Sequence, residues 1–129
     1  MRREISVHGL NNIEQIIEAA ISDLNWQTDS FDIKIILMEA FTNAYIHGNQ
    51  RDTSKPIFFR YCLQGDKVLF EVQDCGDNQN EVNIPTELSE ERIFDESGRG
   101  LFIIQALADH VWFQNNTLMI EKRYCLSET

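Results

Sequence analysis

Residues 38–48 read Met-Glu-Ala-Phe-Thr-Asn-Ala-Tyr-Ile-His-Gly and carry much of the polar chemistry of this chain. Glu39 and Asn43 are four residues apart, so a helix places them side by side, with roughly 5–6 Å between their Cβ atoms. His47 continues that line, and Gly48 is suited to end a helix. Apolar residues at helical spacing predict a helix here, capped by Asp29 or Ser30, and its inner stripe is Ile33, Ile36, Leu37, Ala40, Phe41 and Ala44.

The patterns on either side of this helix predict the other elements. Apolar spacing and Asn11 or Asn12 as cap predict a helix over Ile13–Leu24, and a third helix opens at Gly98. Alternation predicts strands over Arg3–Val7, Ile57–Leu63, Lys67–Asp74, Val111–Gln114 and Thr117–Leu126. Two short turns, Gln64-Gly65-Asp66 and Asn115-Asn116, make hairpins of the last four strands.

The resulting order is β-α-α-β-β-loop-α-β-β, in which strands come mostly as hairpins. This order predicts an α+β fold: a two-layer α/β sandwich, with one mostly antiparallel mixed sheet and helices on one face. The 129 residues favour a single domain over 1–129.

Composition excludes several classes of function. The net charge of −10 argues against nucleic acid as a partner, because phosphate contacts need a basic patch. We find no apolar run long enough for a membrane span and no signal peptide. The cysteines are Cys62, Cys75 and Cys125, odd in number and widely spaced, which favours free thiols in a reducing cytoplasm and no zinc site.

Glu39 and Asn43 form a pair with two interpretations. An Asn oxygen suits Mg²⁺, which takes few protein ligands and keeps several waters, and a half-buried Glu can deprotonate a hydroxyl. The alternative is an ordinary hydrogen bond between residues i and i+4 on a helix. For His47, in the last turn, a favourable interaction with the helix dipole is preferred over a metal or phosphoacceptor role.

Two glycine-containing strings complete the candidate site. Asp74-Cys75-Gly76 ends a strand, where the Asp74 carboxylate could accept a hydrogen bond from an exocyclic amine such as that of adenine. The alternative is a simple turn. Gly98-Arg99-Gly100-Leu101 precedes a helix, whose free N–H groups favour an anion. The alternative is a flexible entry into the helix. A phosphate loop ending in Gly-Lys-Ser/Thr is absent from the sequence.

An acidic segment separates these two strings. Between Glu81 and Glu96, six acids face only Arg92. The segment is either a solvated loop or a lid whose order depends on a ligand or partner. A basic partner surface would be steered toward it.

Residues 38–48 resemble the N box of the GHKL (Bergerat-fold) ATPases, most closely the anti-sigma-factor serine/threonine kinase branch. Residues 72–77 resemble the first glycine box of that family and residues 97–104 the second, with order and spacing intact. The resemblance covers nearly the whole chain. A sensor histidine kinase is disfavoured, because the chain leaves no room for phosphoacceptor helices.

The resemblance implies a set of roles. Asn43 would bind Mg²⁺ and Glu39 would be the general base toward a Ser or Thr hydroxyl. Asp74 would bind the adenine amine of ATP, with Gly76 beneath the ring. Phosphates would be held by a set of residues at the second glycine box: Gly98, Arg99, Gly100 and Leu101. The lid would be Asn78–Ser97, and the partners a STAS-type anti-anti-sigma factor and a sigma factor, with the protein a homodimer.

The chain departs from the family pattern at two places. Asn78 replaces the second Gly of the first box, and Asp95 and Glu96 stand before Gly98 where a base is usual. Arg99 or Arg92 would then supply the positive charge. The sequence is therefore compatible with three functions: a protein kinase, a nucleotide-responsive binding module that transfers no phosphate, and an α+β interaction domain that binds no nucleotide.

Overall fold

The computed structural model describes residues 2–26, 30–76 and 96–124, with side chains in the last range from Arg99 onward. The strands in this part of the chain are β1 Arg2–His8, β2 Pro56–Gln64, β3 Lys67–Gln73, β4 His110–Gln114 and β5 Thr117–Arg123. The helices are α1 Ile13–Asp23, α2 Ser30–Asn43 and α3 Glu96–Leu107. Helix α2 runs directly into a π-helical turn, Ala44–Gly48.

The described strands form one sheet in the order β1-β2-β3-β5-β4, and each neighbouring pair is antiparallel. Both predicted hairpins are confirmed. Gly65 (φ +65°) and Asn115 (φ +56°) adopt the left-handed conformation that tight turns require. The predicted α+β sandwich is therefore confirmed. Strand β5 inserts between β3 and the edge strand β4, which brings the β4–β5 turn beside the end of β3.

The core lies between the helices and one face of the sheet. Alternate residues of β2 and β3 point into it, as expected for strands covered on one side. Four aromatic rings meet at its centre: Phe41 of α2, Phe59 and Tyr61 of β2, and Phe70 of β3. The ring centroids of Phe41 and Phe59 are 5.2 Å apart, an edge-on contact. This contact fixes α2 over the middle of the sheet, and with it the orientation of Glu39 and Asn43.

Some predicted boundaries were wrong. Helix α3 begins at Glu96, two residues before Gly98. Asn12 precedes α1 as predicted, yet its side chain makes no capping hydrogen bond. Strand β3 ends at Gln73, because the Asp74 N–H donates to the carbonyl of Asn116 in the β4–β5 turn. Strand β5 ends at Arg123.

Several predictions fall outside the described residues. They concern Asp29 as a helix cap, most of the acidic segment with Asn78 and Arg92, and Cys125. Within the described ranges, no helix is long and apolar enough to cross a membrane.

Candidate functional site

A cavity of about 260 Å³ opens between α2 with its π-helical turn and the beginning of α3. Its lining among the described residues is Met38, Glu39, Thr42, Asn43, Ile46, His47, Arg99 and Gly100. Four of the predicted site residues, Glu39, Asn43, Arg99 and Gly100, therefore meet in one place although the two pairs are more than fifty residues apart in the chain.

Gly100 allows α3 to approach Glu39 closely. A Cβ atom at position 100 would lie 2.8 Å from Oε2 of Glu39, closer than real side chains pack. Behind this contact the side chains of Leu101 and Ile104 are buried in the core and hold α3 in place. The Glu39 carboxylate is thus held at the amino-terminal end of α3, where the helix dipole stabilises negative charge.

The phosphate residues predicted at the second glycine box lie at this same helix end. The N–H groups at the start of a helix, through its third residue, lack intrahelical partners, and in α3 these include Gly98, whereas the N–H of Arg99 falls within the helical ladder. The amides of Gly100 and Leu101 come after them, within the helical ladder. Arg99 is exposed and brings a positive charge to the cavity. Phosphate binding by these residues stays a prediction.

The π-helical turn changes the direction of the chain after Asn43. The N–H of Asn49 donates to the carbonyl of Ala44 at 2.8 Å, which widens the helix by one residue. His47 is exposed and lines the cavity, whereas the next residue, Gly48, faces Asp74. The predicted helix stop at Gly48 is confirmed, and Gly48 also joins the cavity to the Asp74 turn.

Only glycine fits at position 48. A Cβ atom there would overlap the Asp74 carboxylate, and a Cβ atom on Gly76 would overlap the Gly48 carbonyl oxygen. Sequence reasoning explained Gly76 by close approach to a base ring, but in the structure its missing side chain admits the Gly48 backbone. Asp74 and Gly76 do not line the cavity itself; they lie beside it, beyond Gly48.

The Asp74 carboxyl group is part of a closed turn. Its Oδ1 accepts the N–H of Gly76 at 2.9 Å. Burial raises the pKa of Asp74, and two smaller effects oppose this, the Gly76 N–H hydrogen bond and the positive charge of Lys55. A half-buried carboxylate whose pKa is shifted in this way is suited to accept a hydrogen bond from a ligand.

Residues 7–121 match the family of histidine kinase-like ATPase domains. The chain belongs to this family. The resemblance seen in the N box and the two glycine boxes is thereby confirmed.

Two relatives show how similar the chain is to characterised members of the family. The "Anti-sigma F factor" of Anoxybacillus flavithermus (strain DSM 21510 / WK1) is 28% identical over 99 residues, which are 74% of this chain and 67% of that protein. The "Serine-protein kinase RsbW" of Bacillus subtilis (strain 168) is 29% identical over 92 residues, 67% of this chain and 58% of that protein. About a third or more of each relative lies outside the match.

The fold has a solved counterpart. The catalytic domain of the histidine kinase ThkA superposes with a TM-score of 0.53 and 20% identity, covering 95% of this chain and 97% of that domain. At this identity the likeness concerns the fold alone. It supports the same assignment of sheet and helices in this histidine kinase-like ATPase domain.

The oxygen ligands that line the cavity are compatible with the nucleotide that this ATPase fold implies and with the predicted Mg²⁺. The Asn43 amide oxygen and the Glu39 carboxylate are hard oxygen donors on one helix face, the ligand type Mg²⁺ prefers. Among the described residues there is no cluster of three or more His, Cys, Asp or Glu that could hold a metal alone. That Asn43 holds the ion together with phosphate oxygens and water stays a prediction.

Two residues of the site were missed by sequence reasoning. The sequence predicts only a helix stop at Gly48 and no role for Asn49. The adjacent pair Gly48-Asn49 at the end of the N box was the available signal, since a glycine can mark a close approach of two backbones. Asn49 is 0% exposed.

We expect the Asp74→Asn variant to be more stable than the wild type at pH 7, with this advantage shrinking as the pH falls. The folded pKa of Asp74 is raised by burial, so its stabilising contribution is full below the unfolded pKa of about 3.9. That contribution is lost as the pH rises through the folded value. The substituted amide keeps an oxygen for the Gly76 N–H and carries no charge.

Urea unfolding of both proteins between pH 4 and pH 8 measures this difference. Asp66→Asn, in the exposed β2–β3 turn, removes a charge without burial and is the matched control. An advantage of Asp74→Asn that grows toward pH 4 would contradict the expectation.

Proposed function

We propose that this protein is an ATP-binding, anti-sigma-factor-type serine/threonine protein kinase. It phosphorylates a STAS-type anti-anti-sigma partner and sequesters a sigma factor or similar regulator. The observation that carries the proposal is the meeting of Glu39 and Asn43 in one cavity with Gly100 and Arg99 of α3. The names of the relatives, an anti-sigma factor and a serine-protein kinase, support the same branch.

Each residue has a defined task in this proposal. Asp74 accepts a hydrogen bond from the adenine amine, and Gly76 keeps the turn beside the base. Asn43 holds Mg²⁺ through its amide oxygen, and the Arg99 side chain and the N–H groups of residues 96–98 hold phosphate oxygens. Glu39 orients the incoming Ser or Thr hydroxyl and accepts its proton.

ATP, when bound, supplies the γ-phosphoryl group that becomes attached to the hydroxyl oxygen as ADP leaves. Such transfer depends chiefly on positioning and on neutralising charge. In the cavity, the Arg99 side chain offers positive charge to the phosphates and the Glu39 carboxylate positions the hydroxyl. Both residues lie on helices that pack against each other.

A second candidate is a nucleotide-responsive regulatory module that binds a protein partner and transfers no phosphate. Asp95 and Glu96 favour it, because acids two and three residues before Gly98 would repel a phosphate held at the start of α3. Asn78, in place of a lid glycine, favours it as well. In this alternative ATP binding still changes the affinity for the partner, but Glu39 takes no proton.

The homodimer and the cytoplasmic location belong to the same proposal. Both follow from the resemblance and, for the location, from the free cysteines Cys62 and Cys75. They stay predictions.

We expect Mg·ATP to raise the melting temperature of the wild type and to have much less effect on Asn43→Ala. Ligand at a hundredfold excess over Kd stabilises a protein by about 2.7 kcal/mol, which for a domain of this size corresponds to roughly 10 °C. Asn11→Ala, in the exposed turn before α1, is the matched control and should respond like the wild type.

Thermal scans with and without millimolar Mg·ATP provide the measurement. The absence of a shift in the wild type would exclude both nucleotide-dependent functions. A shift in Asn43→Ala equal to that of the wild type would remove Asn43 from the Mg²⁺ site.

A further inference from the structure

The turn at residues 74–76 has every backbone N–H committed to a hydrogen bond. The Asp74 N–H donates to the Asn116 carbonyl at 3.0 Å, the Cys75 N–H to Asn49 Oδ1 at 2.7 Å, and the Gly76 N–H to Asp74 Oδ1 at 2.9 Å. A turn with all its donors occupied cannot serve as an anion nest. It is instead a rigid support for the second carboxylate oxygen of Asp74.

Asn49 holds this turn from the side of α2. Its Nδ2 donates to the carbonyls of Lys55 and Pro56 at 3.1 and 3.2 Å, while its Oδ1 accepts the Cys75 N–H. The side chain is 0% exposed and joins the π-helical turn, the start of β2 and the Asp74 turn. Only an amide supplies two donors and an acceptor in this arrangement.

Asn116 holds the same turn from the opposite side. Its Nδ2 donates to the Gly76 carbonyl at 2.8 Å, and its own carbonyl accepts the Asp74 N–H. The β4–β5 hairpin, about forty residues further along the chain, thus completes the support of Asp74.

We propose that Asn49 and Asn116 are positioning residues that give the site its selectivity for a base with an exocyclic amine. They hold the Asp74 turn between the N-box helix and the β4–β5 turn, so that Asp74 Oδ2 stays fixed against Gly48. This inference rests on the proposed nucleotide site and goes beyond it, because it assigns base selectivity to two residues that do not touch the base.

The Asp74 carboxylate distinguishes bases by the group that they present to it. The Asp74 carboxylate offers only acceptors, so an amino group on the base is bound and a keto oxygen at the same place is repelled. A hydrogen bond to a charged group corresponds to a preference of about tenfold to a hundredfold. If the turn moves, the Asp74 carboxylate no longer faces the base amine, and the preference for an amino group over a keto oxygen falls. Binding of the triphosphate is unaffected.

The test compares ATP with inosine triphosphate (ITP), which carries a keto oxygen in place of the amine. Affinities for both Mg²⁺ complexes are measured by calorimetric titration in the wild type, Asn116→Asp and Asn115→Asp. In Asn116→Asp a carboxylate oxygen faces the Gly76 carbonyl and displaces the turn. Asn115→Asp adds the same charge at the neighbouring exposed position and is the matched control.

We expect the ATP-to-ITP affinity ratio of Asn116→Asp to fall at least about fivefold from that of the wild type, and that of Asn115→Asp to be unchanged. Equal loss of both affinities in Asn116→Asp would assign it a merely structural role and overturn the proposal. An unchanged ratio would overturn it as well. Asn49→Ser, if it folds, should lower the ratio in the same way.

The same measurements separate the role of Asp74 in ATP recognition from the positioning role of Asn49 and Asn116. If the wild type binds neither nucleotide, or binds both equally, the proposed recognition of ATP by Asp74 is wrong. The positioning role of the two asparagines is then wrong as well. If the wild type prefers ATP and the variants keep that preference, only the positioning role of the two asparagines fails.

Discussion

We expect the Glu39→Gln variant to transfer phosphate to its protein substrate about 100- to 10,000-fold more slowly than the wild type, the range typical of a lost general base. The substituted side chain keeps the length and shape of the original but cannot accept a proton. The contact with Gly100 is retained, since the carboxylate oxygen that lies beside the missing Cβ is replaced by an atom of similar size. ATP affinity should therefore change by less than about threefold.

The measurement is transfer of labelled phosphate from ATP to STAS-domain proteins of the source organism, with ATP affinity determined in parallel. Glu14→Gln, the same change on the exposed face of α1, is the control and should transfer at the wild-type rate. Transfer by Glu39→Gln at that rate would remove Glu39 from the general-base role. ATP binding by a wild type that transfers nothing would favour the regulatory module instead.

The second large effect is expected at Gly48, where Gly48→Ala should weaken ATP binding at least about tenfold. The added Cβ overlaps the carboxylate of Asp74, so Asp74 must leave its position beside the cavity. Overpacking of this kind costs about 1–3 kcal/mol of stability. Loss of the base contact lowers the affinity for ATP about tenfold to a hundredfold. A displaced π-helical turn also moves His47 in the cavity.

A double variant separates the two consequences. Gly48→Ala with Asp74→Gly removes the overlapping atoms, so the free energy of unfolding should recover while ATP binding does not. Gly65→Asn, in an open turn with φ +65°, is the control for replacing a glycine and should leave both quantities unchanged. Wild-type ATP affinity in Gly48→Ala would show that Asp74 need not lie where the structure places it.

The sequence predicts the elements that depend on local pattern. The apolar stripe of α2, the turn residues Gly65 and Asn115, and the alternation in β2 and β3 each act over a few residues. They were sufficient for the α+β sandwich and for placing Glu39 and Asn43 on one helix face. Motif order added the expectation that the second glycine box would meet the N box, and Arg99 and Gly100 do line the same cavity.

The contacts that complete the site were not predictable in this way. The π-helical turn has no local signature in Ala44–Gly48, and it decides that Gly48 rather than His47 faces Asp74. The role of Asn116 depends on strand register, because Gln73 pairs with Thr117 and thereby brings Asn116 to Asp74. The role of Asn49 depends on contacts that join the π-helical turn to the start of β2 and to the Asp74 turn. Pairing between positions so distant in the chain follows from the tertiary fold rather than from local preference.

The insertion of β5 between β3 and β4 sets the order in which the site can be assembled during synthesis. Glu39, Asn43 and Asp74 all leave the ribosome well before Asn116, whose carbonyl and amide are made about forty residues after Gly76. Until the last hairpin joins the sheet, β3 has an open edge and the Asp74 turn lacks one of its two supports. If Asp74 binds the base as proposed, base recognition becomes possible only after β5 has paired with β3, so nucleotide binding would indicate that the last hairpin has joined the sheet.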